Sequence, residues 1–145
     1  MRFVIQRVTR ASVTIEERVA GQIRDGFLVL IGVEDSDTRE LADRMISKMI
    51  HLRIFEDTAG KTNCNLASVN GSLLLVSQFT LYANASHGNR PDFLSAEAPE
   101  RANELYAYVA EGLRKQGLTV KLGVFGADMK ITQVNDGPFT VILEK

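Results

Sequence analysis

Residues 2–15 alternate, with Phe3, Ile5, Thr9, Ala11, Val13 and Ile15 on one face; a period of two predicts a β-strand. Arg7 falls on that same face. In a straight strand its guanidinium points among apolar neighbours and needs acceptors there; a bulge near it would return it to solvent. Ala20-Gly21 and Asp25-Gly26 punctuate two further strands, 19–23 and 27–33, the pattern of an antiparallel meander. The cluster Asp35-Ser36-Asp37-Thr38 then opens a helix, with Asp37 and Glu40 at capping-box spacing. Leu41, Met45 and Met49, beside Ala42, Ile46 and Ile50, make its buried stripe, and His51 closes it.

A short strand over 52–55, a turn over 57–61 and an irregular polar stretch over 63–70 follow. The run Leu73-Leu74-Leu75-Val76 belongs to a buried strand spanning 72–79. Its end turns polar, with Ser77, Gln78 and Thr80 around Phe79. A core strand gains nothing from such groups unless something at its end uses them. By strand parity Thr80 falls with Val76 and Gln78, away from Ser77 and Phe79. Residues 82–93, which carry His87 and Arg90, read as loop.

Pro99 suits the first turn of a second helix that Gly117 ends, with Ala102, Leu105, Val109 and Leu113 as its apolar stripe. A strand over 119–122 and a turn over 123–127 lead to a closing hairpin of 129–132 and 139–143. Asp136-Gly137 reads as its turn, although Pro138 follows at once and restricts Gly137. The fold class is α+β: a twisted, mostly antiparallel, barrel-like sheet with two main helices on one side, in one domain over 1–145.

Composition narrows the function. The chain has 145 residues, 45% hydrophobic and 24% charged, ordinary values for a globular domain. Its opening MRFVIQRV lacks a signal peptide's apolar core, and no apolar run is long enough to span a bilayer. A single cysteine, Cys64, excludes an intrachain disulfide and fits a reducing, cytoplasmic setting. The net charge of −1 argues against broad, phosphate-driven nucleic-acid binding. A protein that grips only terminal nucleotides escapes that objection.

Most standard catalytic apparatus is missing. There is no G-x-S-x-G elbow, P-loop, H-E-x-x-H or G-x-G-x-x-G. His51 and His87 lie far apart without cysteine or carboxylate at ligand spacing, so no metal or cofactor is expected. Ser77 and Thr80 would be nucleophiles only with a base beside them. The residues alone therefore point to a pocket: a polar strand end, aromatic side chains and a rigid Gly-Pro turn.

SQFTL (77–81) and NDGPFT (135–140), with FGADM (125–129) and RVTRASV (7–13), resemble the D-aminoacyl-tRNA deacylases of the Gly-cisPro family over essentially the whole chain. Two positions depart from the family pattern: Phe139, where Val is common, and His87, where Lys or Arg is common. The resemblance implies hydrolysis of the ester linking a D-amino acid to the 3′-terminal adenosine of tRNA, and also of glycyl-tRNA mischarged on tRNA(Ala). It implies a homodimer in which Gly137 and Pro138, joined by a cis bond, act in trans in the partner's pocket and reject L-aminoacyl groups. Arg7 would brace that motif, while Phe125, Met129 and Ala102 would line an adenosine site. Backbone N–H groups of Gln78 and Phe79 would stabilise the oxyanion, and the substrate's 2′-hydroxyl would assist the attacking water. Ser77 and Thr80 would belong to the pocket without being nucleophiles. Two rivals stand beside this reading: an esterase with a Ser77 or Thr80 nucleophile, and a non-catalytic module binding the tRNA 3′ end.

Overall fold

A computed structural model describes residues 1–144. Strand β1 (Arg2–Ile15) turns at Glu16-Glu17, both at positive φ, into β2 (Arg18–Ile23) and β3 (Gly26–Gly32). The expected meander does not form. Ala11 pairs with Ile23 and Val8 with Gly26 in one continuous register, so β2 and β3 run end to end along the same edge of β1. Asp25-Gly26 interrupts this long arm without reversing it, because the Asp25 carbonyl accepts the Ser72 N–H, 2.9 Å away, from the next strand of the sheet.

From β3 the chain passes through α1 (Arg39–Ile50), the short pair β4 (Phe55–Glu56) and β5 (Thr62–Cys64), and a 3-10 turn before β6 (Ser72–Ser77). It continues through α2 (Pro99–Lys115) to β7 (Val120–Leu122) and ends in β8 (Lys130–Glu144). Because the two helices serve as crossovers, β3–β6 and β6–β7 are parallel. β1 is antiparallel to β2, β3 and β8. The α+β class and the barrel-like sheet thus hold, with a parallel half that the alternation of residues did not reveal.

Leu73 and Leu75 face the helices, packing with Phe3, Ile5, Phe27 and Val29 against the stripes of α1 and α2. Leu74 and Val76 face the other way, toward Val8, Ala11, Val13, Ile23 and Leu28. Burial on both faces explains why that strand is apolar without interruption. The far end of the β1–β2 hairpin curls over this second face: a Cβ on Gly21 would sit 2.9 Å from the Leu122 carbonyl. That curl makes the sheet barrel-like.

At the start of α1, Thr38 rather than Asp37 is the cap, its hydroxyl accepting the Leu41 N–H at 3.2 Å. Asp37 is buried instead, accepting the Glu34 N–H at 2.8 Å and pairing with the Met1 ammonium. These two donors turn the Asp37 carboxylate inward, away from the helix end that Thr38 caps.

The largest departure lies at the C-terminus. No hairpin forms over 129–143; β8 is one long strand running antiparallel to β1 from Lys130 opposite Thr14 to Glu144 opposite Arg2. Asp136 to Phe139 form a bulge within it. Gln6 pairs with Thr140 and Val8 with Asn135, so Arg7 alone stands opposite four residues of β8. Fourteen residues of β1 offer one continuous edge, and pairing along it satisfies more backbone than folding back would.

Candidate active site

β6 ends where the sequence turns polar, and its end opens on a cavity of about 660 Å³. Ser77, Gln78 and Phe79 form one wall, and Ala102 and Tyr106 of α2 another. Phe125, Gly126, Ala127 and Met129, on the turn after β7, form a third, with Ile131 of β8 beside them. Gly123 prepares that turn: its N–H donates to the Leu75 carbonyl at 2.8 Å, and a Cβ there would lie 2.6 Å from the Met129 sulfur. The lining is predominantly aliphatic and aromatic, and its size suits a nucleoside-sized ligand.

The strand expected over 72–79 stops at Ser77, and Phe79–Tyr82 form a 3-10 turn. Strand parity therefore does not apply to Thr80. Its hydroxyl accepts the Gln78 side-chain amide, it is exposed, and it is not part of the cavity lining. The Gln78 N–H donates to the Ile31 carbonyl at 2.8 Å, so the expectation that it serves an oxyanion is corrected: that donor is already engaged in the sheet. The Phe79 N–H, at the start of the turn, has no acceptor among the described residues. The Phe79 ring packs edge-to-face on Phe93, centroids 4.9 Å apart.

Several lining residues were not foreseen. Tyr106 lies one helical turn after Ala102, so the i+4 spacing could have found it. Its hydroxyl donates to the Leu75 carbonyl at 2.8 Å, and burial pushes its pKa well above that of an ordinary phenol. Among the described residues Glu97 is the one charged residue of the lining; its carboxylate accepts the Ala98 N–H at 2.8 Å and pairs with Arg101 at 2.7 Å, steadying the N-terminal turn of α2. Phe93 sits in what read as featureless loop.

Arg7, Gly137 and Pro138 gather elsewhere and do not line the cavity. Arg7 stays buried, because the large bulge opposite it forms in β8, while the single-residue bulge of β1 falls past it at Thr9, which is exposed against expectation. Its Nη1 donates to the Ile54 carbonyl at 2.5 Å and its Nε to the Asp136 carbonyl at 3.1 Å, with the Asp136 carboxylate at 3.0 Å. Gly137 and Pro138 are exposed at the crest of the bulge, and the peptide bond between them is cis. Among the described residues no three His, Cys, Asp or Glu side chains group to hold a metal ion, and no helix is long and apolar enough to cross a membrane.

This sheet, with its cavity at the end of β6, is formed by a sequence that matches a family of hydrolases. The chain belongs to the family described as D-Tyr-tRNA(Tyr) deacylase, whose model matches residues 4–144. Among curated proteins it is 50% identical over 144 residues to the D-aminoacyl-tRNA deacylase of Deinococcus deserti, covering 99% of each chain. It is 51% identical over 145 residues to that of Exiguobacterium sibiricum, covering 100% of both. A solved structure titled c-Myc DNA Unwinding Element Binding Protein superposes with a TM-score of 0.94 at 41% identity, covering 100% of this chain and 99% of that one. A probable eukaryotic D-amino acid tRNA deacylase shares the fold, with a TM-score of 0.87 at 17% identity over 98% of this chain and 97% of that one.

Proposed function

We propose that this chain hydrolyses the ester of D-aminoacyl-tRNA, releasing the D-amino acid and free tRNA in the cytoplasm. The observation that carries the reading is the apolar cavity of about 660 Å³, with the unpartnered Phe79 N–H at its wall. The terminal adenosine enters between Phe125, Met129 and Ala102, which places the aminoacyl ester at the end of β6. An aminoacyl ester is already activated, so the enzyme has to position it and supply a donor to the developing oxyanion. The Phe79 N–H is that donor, and the adenosine 2′-hydroxyl assists the attacking water.

Chirality is read by exclusion. Gly137 and Pro138 stand exposed on β8, outside the cavity of their own chain, which supports their entry into the cavity of a second copy. β8 is a 15-residue strand paired on one side by β1. A twofold homodimer makes the exchange of the motif reciprocal. The carbonyls of Gly137 and Pro138 accept the substrate's α-ammonium and occupy the volume an L side chain requires. A D side chain points away, and glycine presents nothing to exclude.

The test titrates the purified protein against D-tyrosyl, L-tyrosyl and glycyl esters on tRNA, the last including glycyl-tRNA(Ala). D-tyrosyl and glycyl esters are cleaved within about tenfold of each other and the L-tyrosyl ester is spared. A glycyl ester as resistant as the L-tyrosyl ester would mean that the pocket reads the D side chain. No loss of any ester would leave a module that only binds the tRNA end. The DNA-related title of one structural relative does not transfer: a net charge of −1 offers little footprint for duplex phosphates.

A further inference from the structure

We infer that the rim of the cavity binds the nucleotide preceding the terminal adenosine, with Arg90 on its phosphate and the Phe79 ring stacked on its base. The inference rests on the proposed tRNA 3′ end as substrate. Residues 84–92 form a loop closed at its base, where Asn84 and Asp92 exchange both backbone hydrogen bonds, at 2.9 and 3.0 Å. The Asn84 side-chain amide donates to the Asp92 carboxylate at 3.2 Å, and its carbonyl accepts the Ser86 N–H and hydroxyl at 3.1 and 2.7 Å. Asp92, the one acid of the loop, also accepts the Leu94 N–H at 3.3 Å. Between 85 and 91 the loop carries His87 and Arg90 and no acid. Both are exposed, and among the described residues neither has a hydrogen-bond or ion-pair partner.

The base of the loop adjoins the cavity. Phe93 follows Asp92 directly and lines the cavity, and its ring meets that of Phe79. Arg90 precedes Phe93 by three residues, a chain length of about 10 Å at most, which keeps it near the cavity mouth. Phe79 lines the cavity yet is 57% exposed, so it also presents apolar surface to solvent. An exposed ring and an unpaired guanidinium, continuous with a nucleoside-sized cavity, are the two elements that hold single-stranded nucleic acid: a π face for a base and a cation for the backbone. A net charge of −1 permits no broad phosphate footprint, which confines such contact to a local cation. Phe79 thus serves twice, its amide at the ester and its ring one nucleotide further out.

The first arm of the test needs no catalysis: adenosine and the RNA trinucleotide CCA are titrated against the full chain. The trinucleotide binds about tenfold or more tightly than adenosine, the scale of one stacked base, and UUA binds within about threefold of CCA because stacking tolerates any base. Arg90→Gln and Phe79→Leu each remove most of that advantage, and Arg90→Gln also flattens the salt dependence by about 0.7 in log–log slope. Should Phe79→Leu not fold, Arg90→Gln decides. The second arm takes the ratio of kcat/KM for D-tyrosyl-tRNA to that for D-tyrosyl-adenosine, which lacks the preceding nucleotide. Arg90→Gln lowers the ratio about tenfold and Arg90→Lys restores most of it. A loop with a merely structural role would lower both substrates alike and leave the ratio unmoved. Equal affinity for adenosine and trinucleotide, or an unmoved ratio, would overturn the subsite. Tighter trinucleotide binding in a parent that cleaves no ester would overturn the deacylase reading and leave the subsite standing.

Discussion

The Gln78 N–H donates to the Ile31 carbonyl at 2.8 Å, and this last bond of the β3–β6 ladder leaves the next amide, that of Phe79, without a partner among the described residues. One strand end thus supplies both a fixed edge and an unused donor. Replacing Phe79 by proline removes the N–H, while Phe79→Ala removes the ring and keeps it. Loss of a single oxyanion donor costs about 10²–10³ in kcat. We expect Phe79→Pro to lie that far below Phe79→Ala in single-turnover deacylation. Equal rates would dismiss the Phe79 amide.

The hydroxyls of the same segment are expected to matter little to the chemistry. Among the described residues, no histidine, lysine or carboxylate is bonded to Ser77 or Thr80, and the Thr80 hydroxyl is taken by Gln78. Ser77→Ala and Thr80→Ala should each keep deacylation within about tenfold of the parent, whereas losing a true nucleophile costs about 10⁴ or more. Rates of the two variants on D-tyrosyl-tRNA decide between this and the nucleophilic esterase.

Removing the Arg7 side chain would leave the Ile54 carbonyl without the Nη1 donor and free the near end of the bulge. Arg7→Ala should cost about 1–3 kcal/mol in denaturant unfolding, the penalty of an unsatisfied buried acceptor. Arg7→Lys should recover only part of it, since a point-charge ammonium cannot serve Ile54 and Asp136 together from one planar fork. Full recovery in the lysine variant would mean that charge alone suffices.

The Tyr106 phenol sets a pH dependence. Burial raises its pKa in the folded chain, so the folded state keeps its proton where the unfolded state gives it up. Stability from this group is fully present below the unfolded value of about 10 and falls as pH rises above it, by about 1.4 kcal/mol per pH unit. Tyr106→Phe should lose about 0.5–1.5 kcal/mol at neutral pH, because the Leu75 carbonyl still accepts the Gly123 N–H. Above pH 10 it should decline less steeply than the parent. Parallel alkaline unfolding curves would contradict the assignment.

Assembly is tested at the free edge of β8. Val134 and Ile142 are exposed, and a long apolar edge strand left open invites pairing with another chain. Val134→Lys and Ile142→Lys together should shift the protein toward monomer in sedimentation and lower activity in proportion. A parent protein fully active as a monomer would refute the exchange of Gly137 and Pro138 between copies.

Much of the chain was legible because local pattern and final environment agree. The stripes of both helices, the buried Leu73–Val76 run and the polar strand end at Ser77 and Gln78 occupy the places their periodicity assigns. The pocket lining by Phe125, Met129 and Ala102 was legible through resemblance, since in isolation those residues look like any core.

What the sequence determined by itself was composition of surfaces: which faces must be buried, where elements begin and stop, and that Arg7 lies on an apolar face in need of acceptors. What only the tertiary structure decided was which edge each strand found. Asp136-Gly137 has the chemistry of a hairpin turn, yet β8 passes straight along β1, because a long unpaired edge outweighs a local turn preference. The same long-range pairing set the large bulge of β8 opposite Arg7 and the small bulge of β1 beyond it at Thr9, which left Arg7 buried and lifted Gly137 and Pro138 to the surface. Pairing of β6 with β3 likewise engaged the amide of Gln78 and left that of Phe79 without an acceptor among the described residues. Neither outcome is encoded in a neighbourhood of a few residues, since each depends on a strand more than 40 positions away.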